Sequence, residues 1–250
     1  MTVRTIIEGV NMTLAGKTAV VVGGGTGIGR AIARGLSAAG VRVLIGGRRE
    51  DVLAQAAEGT DIQWQSLDVA DREHVNQFFA KAKTQLDQID ILVNAAGINI
   101  KDRSMQAMPP EQWDRLIAIN ATGAYNCLHA VLPDMRSRRS GTIINVSSVA
   151  GKRAIALGGI AYAASKFAMT ALGICVSNEI AADGVRLTNL YPGEVNTPLL
   201  DDRPTPVSDE HRQKILQPDE VAQLVLCIIA LPPGVHVPEV IIKPLTQQWY

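Results

Sequence analysis

A chain of 250 residues, 47% of them hydrophobic, has the length of one α/β domain and enough apolar material for a large core. Its 24 basic residues balance its 24 acidic ones. That balance excludes the basic footprint of a protein that binds nucleic acid or an anionic membrane surface.

Strand and helix patterns alternate along the chain. Residues 17–22 are a short β-branched run ending in glycines. Helical spacing of Ile28, Ile32 and Leu36 predicts a helix over 27–39, stopped by Gly40. A strand over 41–45 and a helix over 50–58 follow. Residues 62–67 alternate as a strand, and 72–86 are amphipathic. A strand over 89–93 precedes a long helix over 110–132, which Pro133 bends or stops. Then come a strand at 141–146, a helix at 161–182, a strand at 185–191, a helix at 218–231 and a last strand at 240–242. Apolar strands separated by helices imply a doubly wound parallel sheet covered on both faces. Residues 192–217 are the one long irregular stretch, rich in Pro and Asp; the part from about 193 to 217 reads as a substrate lid.

Residues 1–11 carry no signal-peptide pattern and read as an extension, with one domain over 12–250. The longest apolar run, near 221–231, is too short to cross a bilayer. Cys127, Cys175 and Cys227 show no metal spacing and lie in apolar helical context, so they read as buried, reduced thiols of a cytoplasmic protein. His129 and His211 have no partners at ligand spacing, so no metal site is expected.

The first strand runs into Gly23, Gly25, Thr26, Gly27, Ile28 and Gly29, which open a helix. Glycines there permit a tight turn and close approach to a pyrophosphate, and the helix N-terminus supplies N–H groups. Dinucleotide sites usually carry an acidic residue after the second strand, for the ribose hydroxyls. Here the place holds Arg48 and Arg49, with no carboxylate before Glu50. Arginine grips a 2′-phosphate that a carboxylate would repel, so NADP(H) is preferred over NAD(H). Asp68 and Val69 end the third strand, and Asn94, Ala95, Ala96 and Gly97 end the fourth, all at the carboxyl edge where ligands bind. Asp68 is also a candidate cap for the following helix.

Tyr162 and Lys166 sit four apart on one helical face. A nearby cation favours the phenolate and lowers a tyrosine pKa toward the working range of a general acid or base.

In order and spacing these segments, together with Asn120, Ser148 and Pro192-Gly193-Glu194-Val195-Asn196-Thr197, resemble the classical short-chain dehydrogenases/reductases over about residues 14–231. The resemblance implies a Rossmann-type fold. It also implies hydride transfer between a nicotinamide cofactor and a carbonyl or secondary alcohol. Tyr162 would be the acid/base, and Ser148 would bind the substrate oxygen. Lys166 would hold the ribose and lower the Tyr162 pKa, and Asn120 would anchor a water in a proton relay. Thr197 would bind the carboxamide, with Pro192, Gly193 and Val195 beside it. Ser147 is the competitor for Ser148, but strand alternation lets only one face the site. A homodimer or homotetramer built on the 110–132 and 161–182 helices is the family's implied assembly.

Four departures stand out. Val22 replaces a common threonine and Ala95 a common asparagine. Ser148 and Tyr162 are fourteen apart, one more than expected, which puts an extra residue in the 152–159 loop. The tail ends in the polar-aromatic Gln247-Gln248-Trp249-Tyr250. The substrate pocket is expected from 98–103, 152–159 and 194–217. Lys101, Arg103, Lys152 and Arg153 read there as solvated charges before acid-binding ones, with Ala156, Leu157 and Leu199 as apolar lining. A non-catalytic NADP(H)-binding sensor or scaffold is the alternative, and such proteins usually lose the tyrosine or the lysine.

Overall fold

The computed structural model describes residues 14–248. Seven parallel strands form one sheet in the order β3-β2-β1-β4-β5-β6-β7. They are β1 (Thr18–Val22), β2 (Arg42–Gly47), β3 (Gln63–Ser66), β4 (Ile91–Asn94), β5 (Gly141–Val146), β6 (Val185–Pro192) and β7 (Glu239–Ile242). The chain winds outward from β1 to β3, returns to lay β4 beside β1, and winds the other way. The strand order therefore reverses between β1 and β4, and the crevice opens at their carboxyl ends.

Alternation along β1 divides the core. Ala19 and Val21 face one side, packed with α1 (Gly27–Ala38) and α8 (Pro218–Ile229) through Ile32, Leu36, Val221 and Val225. Val20 and Val22 face the other, packed with α3 (Arg72–Leu86) through Val75 and Phe78. Both faces are covered at the centre of the sheet, so β1 and β4 are continuous buried runs, whereas the edge strands β3 and β7 are partly exposed. The α2 helix (Glu50–Ala57) flanks β2.

The sequence expectation of one helix over 110–132 is corrected. It is α4 (Pro110–Ile117), a π-turn (Ala118–Thr122) and α5 (Gly123–Arg138). Gly123 sits tight on the third-strand loop, where an added Cβ would lie 2.6 Å from Val69 Cγ2. Pro133 stays inside α5 rather than ending it. It removes one N–H from the ladder, while buried Val131 and Met135 on either side keep the helix packed on the core. The cap of α3 is Asp71, whose carboxylate accepts from Glu73 N and His74 N. Asp68 instead accepts from Ala70 N in its own turn.

The 161–182 expectation becomes α6 (Ile160–Ile180) with a 3₁₀ turn, Ala181–Asp183. By length and composition this stretch could cross a membrane, contrary to the reading that put the longest apolar run at 221–231. Its buried Ser165, Lys166, Thr170 and Ser177 turn a polar stripe to the protein interior. The 192–217 segment is also more ordered than expected. It contains a 3₁₀ turn (Pro198–Asp202) and α7 (Asp209–Lys214), closed by a bridge between Val195 and Leu216. Cys127 is buried, and desolvation pushes its thiol up to about 12. Cys175 and Cys227 are exposed, because each lies on the outer side of an otherwise core-packed helix.

Candidate active site

A groove of about 410 Å³ runs along the carboxyl edge, across the point where the strand order reverses. Its floor is the glycine turn. At Gly29 a Cβ would lie 2.2 Å from Gly23 O, and at Gly23 (φ +78) one would lie 2.6 Å from Ala96 N. Only glycine fits where these two backbones meet. Thr26, the N-cap of α1, is extended (φ −144) and makes no side-chain capping bond, so the first amides of α1 have no internal acceptor. Gly25, Gly27, Ile28, Asp68, Val69, Ala95, Ala96 and Gly97 line the same groove.

Arg48 and Arg49 are exposed at its outer end, and neither makes an ion pair among the described residues. Asn94 does not line it. The side chain is buried and donates to Asn145 Oδ1 at 3.0 Å, because the last rung of β4 turns it toward β5.

Tyr162 lies where this groove meets a second, smaller pocket of about 140 Å³, and it lines both. Ser148, at the end of β5, lines only the second. Its backbone is extended, its Oγ accepts from Ala150 N at 3.1 Å, and the hydroxyl lies close enough to the Tyr162 phenol to favour the phenolate. Ser147 is buried and also borders both cavities, but its hydroxyl is engaged within the protein. Its hydroxyl reaches Lys166 O and Thr170 Oγ1, both at 3.2 Å. The two hydroxyls thus have different partners, Ser147 on α6 and Ser148 toward Ala150 and the phenol.

Lys166 is 4% exposed, and its Nζ donates to Val146 O at 2.9 Å. Burial pulls its pKa down to about 8. Gly97 leaves the ammonium open to the groove, since a Cβ there would lie 3.4 Å from Nζ. The surroundings of the Tyr162 phenol act on it in opposite directions. Desolvation raises the phenol above its ordinary value; the Ser148 hydrogen bond and then the Arg103 charge pull it back. The ammonium is held on the Val146 carbonyl, with Nζ 5.8 Å from the ring centroid.

Asn120 occupies the π-turn and is fully buried. Its Oδ1 accepts from Ile98 N at 2.8 Å, and its Nδ2 donates to Ile98 O and Ser165 Oγ, both at 3.0 Å. The π-turn thereby clamps the loop after β4 to α6. Thr197 lines both cavities and packs on the glycine turn, 3.0 Å from the position of a Gly27 Cβ. Pro192, Gly193 and Val195, expected beside the cofactor, line the second pocket, because the chain after β6 turns away toward β7 and Leu216.

The pocket charges also sort differently from the sequence expectation. Lys101 is exposed. Lys152 leaves for Glu239 on β7, packing over the Tyr191 ring. Arg153 lines an outer cavity of about 570 Å³. Arg103 is not solvated but buried, beside Tyr162 and Ser148. Gln247 was missed altogether. Its Oε1 accepts from Glu194 N at 2.9 Å, so Gln247 walls the pocket. The departure of the tail from the family pattern was its only signal.

The family model described as short chain dehydrogenase matches residues 17–207. The chain belongs to the short-chain dehydrogenase family. Among its relatives, an uncharacterized oxidoreductase of Staphylococcus saprophyticus is 34% identical over 238 residues, covering 93% of this chain and 99% of that protein. Of solved structures in similar folds, one is an alcohol dehydrogenase of the archaeon Thermococcus sibiricus complexed with 5-hydroxy-NADP. It matches with TM-score 0.83 and 30% identity over 94% of this chain and 99% of that one. Another is a serine dehydrogenase in its closed form complexed with NADP+, with TM-score 0.84 and 28% identity over 93% and 96% of the two chains. The seven-stranded Rossmann-type sheet is thus the short-chain dehydrogenase fold, and the chain is an oxidoreductase of that family.

Proposed function

We propose that the protein is an NADP(H)-dependent oxidoreductase acting between a carbonyl and a secondary alcohol, with Tyr162 as general acid/base. The observation that carries this reading is the position of Tyr162. It stands at the junction of the long groove and a second, smaller pocket, with Ser148 on one side and Lys166 on the other.

The groove suits a dinucleotide on two grounds. Its glycine cradle would be filled by any Cβ, and the first amides of α1 meet no capping side chain among the described residues, where a pyrophosphate would lie. Arg48, with Arg49 beside it, would take a 2′-phosphate, which favours NADP(H) while leaving NAD(H) possible. The NADP-bound neighbours support this choice. When bound, the nicotinamide supplies the hydride.

The protein's own part is proton handling and orientation. In reduction, negative charge builds on the carbonyl oxygen. The Ser148 hydroxyl and the Tyr162 phenol donate hydrogen bonds to it, and the phenol delivers its proton. Lys166, open at Gly97, would bind ribose hydroxyls. Asn120 would support the relay through the clamped loop, and Thr197 would orient the carboxamide. The exposed Trp113, Tyr125, Phe167 and Ile174 on α4, α5 and α6 give a second copy an apolar face, in keeping with a homo-oligomer. A cytoplasmic setting follows the reduced-thiol reading.

The test follows NADPH and NADH absorbance with a panel of small ketones, diketones, 3-oxoacyl thioesters and keto acids. The expected result is turnover with kcat/KM at least tenfold higher for NADPH. Tight NADPH binding with no turnover on any panel member would favour the sensor.

A further inference from the structure

The sequence places Arg103 in a polar loop, where an arginine is ordinarily solvated. In the fold it is 8% exposed and makes no ion pair among the described residues. Its guanidinium is spent on carbonyls from three segments. Nε donates to Ile100 O in its own loop at 2.7 Å, and Nη1 to Leu157 O in the 152–159 loop at 2.7 Å. Nη2 donates to Asp202 O at the end of the Pro198–Asp202 turn. The main chain is held as well, since Arg103 O accepts from Ile160 N at the first residue of α6. The fit is close. Gly159 has φ +81, and a Cβ there would lie 2.5 Å from Arg103 Cβ. The planar fork of arginine can meet three carbonyls at once, which an ammonium cannot do in the same geometry.

We propose that Arg103 is a positioning residue for the chemistry at Tyr162: its guanidinium ties the 152–159 loop and the 198–202 turn across the substrate pocket and holds a fixed positive charge beside the phenol. The inference rests on Tyr162 being the acid/base. Carbonyl partners carry no net charge, so no carboxylate is bonded to the guanidinium, and a buried cation acts on a desolvated neighbour more than a solvated one does. Tyr162 feels it, as the favourable effect of Arg103 on the phenolate shows. The other charges around the phenol are accounted for. Lys166, one turn along α6, is turned to Val146 O. From the lid, Asp202 offsets the Arg103 charge and Arg203 opposes it. Arg203 is itself paired with Glu194, which also takes His211.

Charge and fork make separable predictions. Arg103→Lys keeps the charge and loses the three-carbonyl fork; Arg103→Met loses both. Arg103→Gln replaces Met if that variant does not fold. The assay is NADPH-dependent reduction of the panel carbonyl turned over fastest, read as kcat and KM over pH 5.5–10, with Tyr162→Phe as control. In the neutral variants the apparent pKa governing kcat rises by about one unit, a tenfold change in proton affinity, and KM rises. In Arg103→Lys, KM rises at least fivefold while the pH profile stays within 0.3 unit, as an expected figure of about that size for a retained charge. NADPH affinity stays within about twofold in all three, because Arg103 does not line the nucleotide groove.

A neutral variant with unmoved pH profile overturns the charge role, and Arg103→Lys with unchanged KM overturns the strut. Either result, with Tyr162→Phe inactive, sinks this inference alone. An active Tyr162→Phe, or a wild type with no turnover on the panel, overturns the proposed function and this inference with it.

Discussion

Lys166 is an almost wholly buried ammonium at the wall of the groove, and this has a measurable consequence for stability. Burial lowers its pKa from 10.5 to about 8. Between those values the unfolded chain binds a proton that the folded chain does not, so stability rises with pH across that window. From pH 7 to pH 10 the two pKa values give about 2–3 kcal/mol, taking 1.36 kcal/mol per unit. Lys166→Met removes the titration. It also strips Val146 O of its donor, a cost of about 1–3 kcal/mol that does not depend on pH. The diagnostic quantity is therefore the change with pH in the stability gap between wild type and variant. Urea unfolding without cofactor, at one fixed protein concentration, measures that gap at pH 7 and pH 10. Other tyrosines and lysines titrate in both proteins and cancel. The gap should move by about 2–3 kcal/mol in favour of the wild type at pH 10, or roughly 5–10 °C in Tm. A gap constant to within about 0.5 kcal/mol would refute the claim that Lys166 is held desolvated.

Other substitutions read other parts of the site. Arg48→Asp should lower the NADPH-to-NADH ratio of kcat/KM at least tenfold; an unchanged ratio means Arg48 is an ordinary surface charge. Gly29→Ala forces a Cβ to within 2.2 Å of Gly23 O and should weaken NADPH binding at least tenfold in a fluorescence titration, whereas wild-type affinity would show that the turn can yield. Ser148→Ala should cost on the order of 10²-fold in kcat. Ser147→Ala should leave kcat within a few-fold and lower stability by about 1 kcal/mol through its lost buried hydrogen bonds; the reverse ranking would exchange their roles.

The central strands were legible because β1, β2 and β4 are short, mostly apolar runs bounded by glycine or a polar turn, while the polar edge strand β3 was legible from its alternation. The glycine turn was legible because its position between β1 and α1 carries a geometric requirement that only glycine meets. Three features were not legible. The π-turn at Asn120 has no local signature, since it arises from tertiary bonds to Ile98 and Ser165. Pro133 looked like a stop because its lost N–H is visible in the sequence and the packing of Val131 and Met135 is not. Arg103 looked solvated because the three carbonyls that bury it come from segments up to 99 residues away. The same blindness applied to Cys175 and Cys227, where apolar helices suggested burial but the side of the helix decided exposure.

The most direct measurement of the central claim is single-turnover reduction by Tyr162→Phe, with NADPH affinity measured on the same sample. The phenylalanine keeps the ring that lines both cavities and removes only the hydroxyl. The account predicts NADPH bound within about threefold of wild type and hydride transfer slowed by roughly 10²–10⁴ across neutral pH, the usual worth of a positioned acid. Transfer within a few-fold of wild type would contradict it, and would mean that the proton comes from a group other than Tyr162.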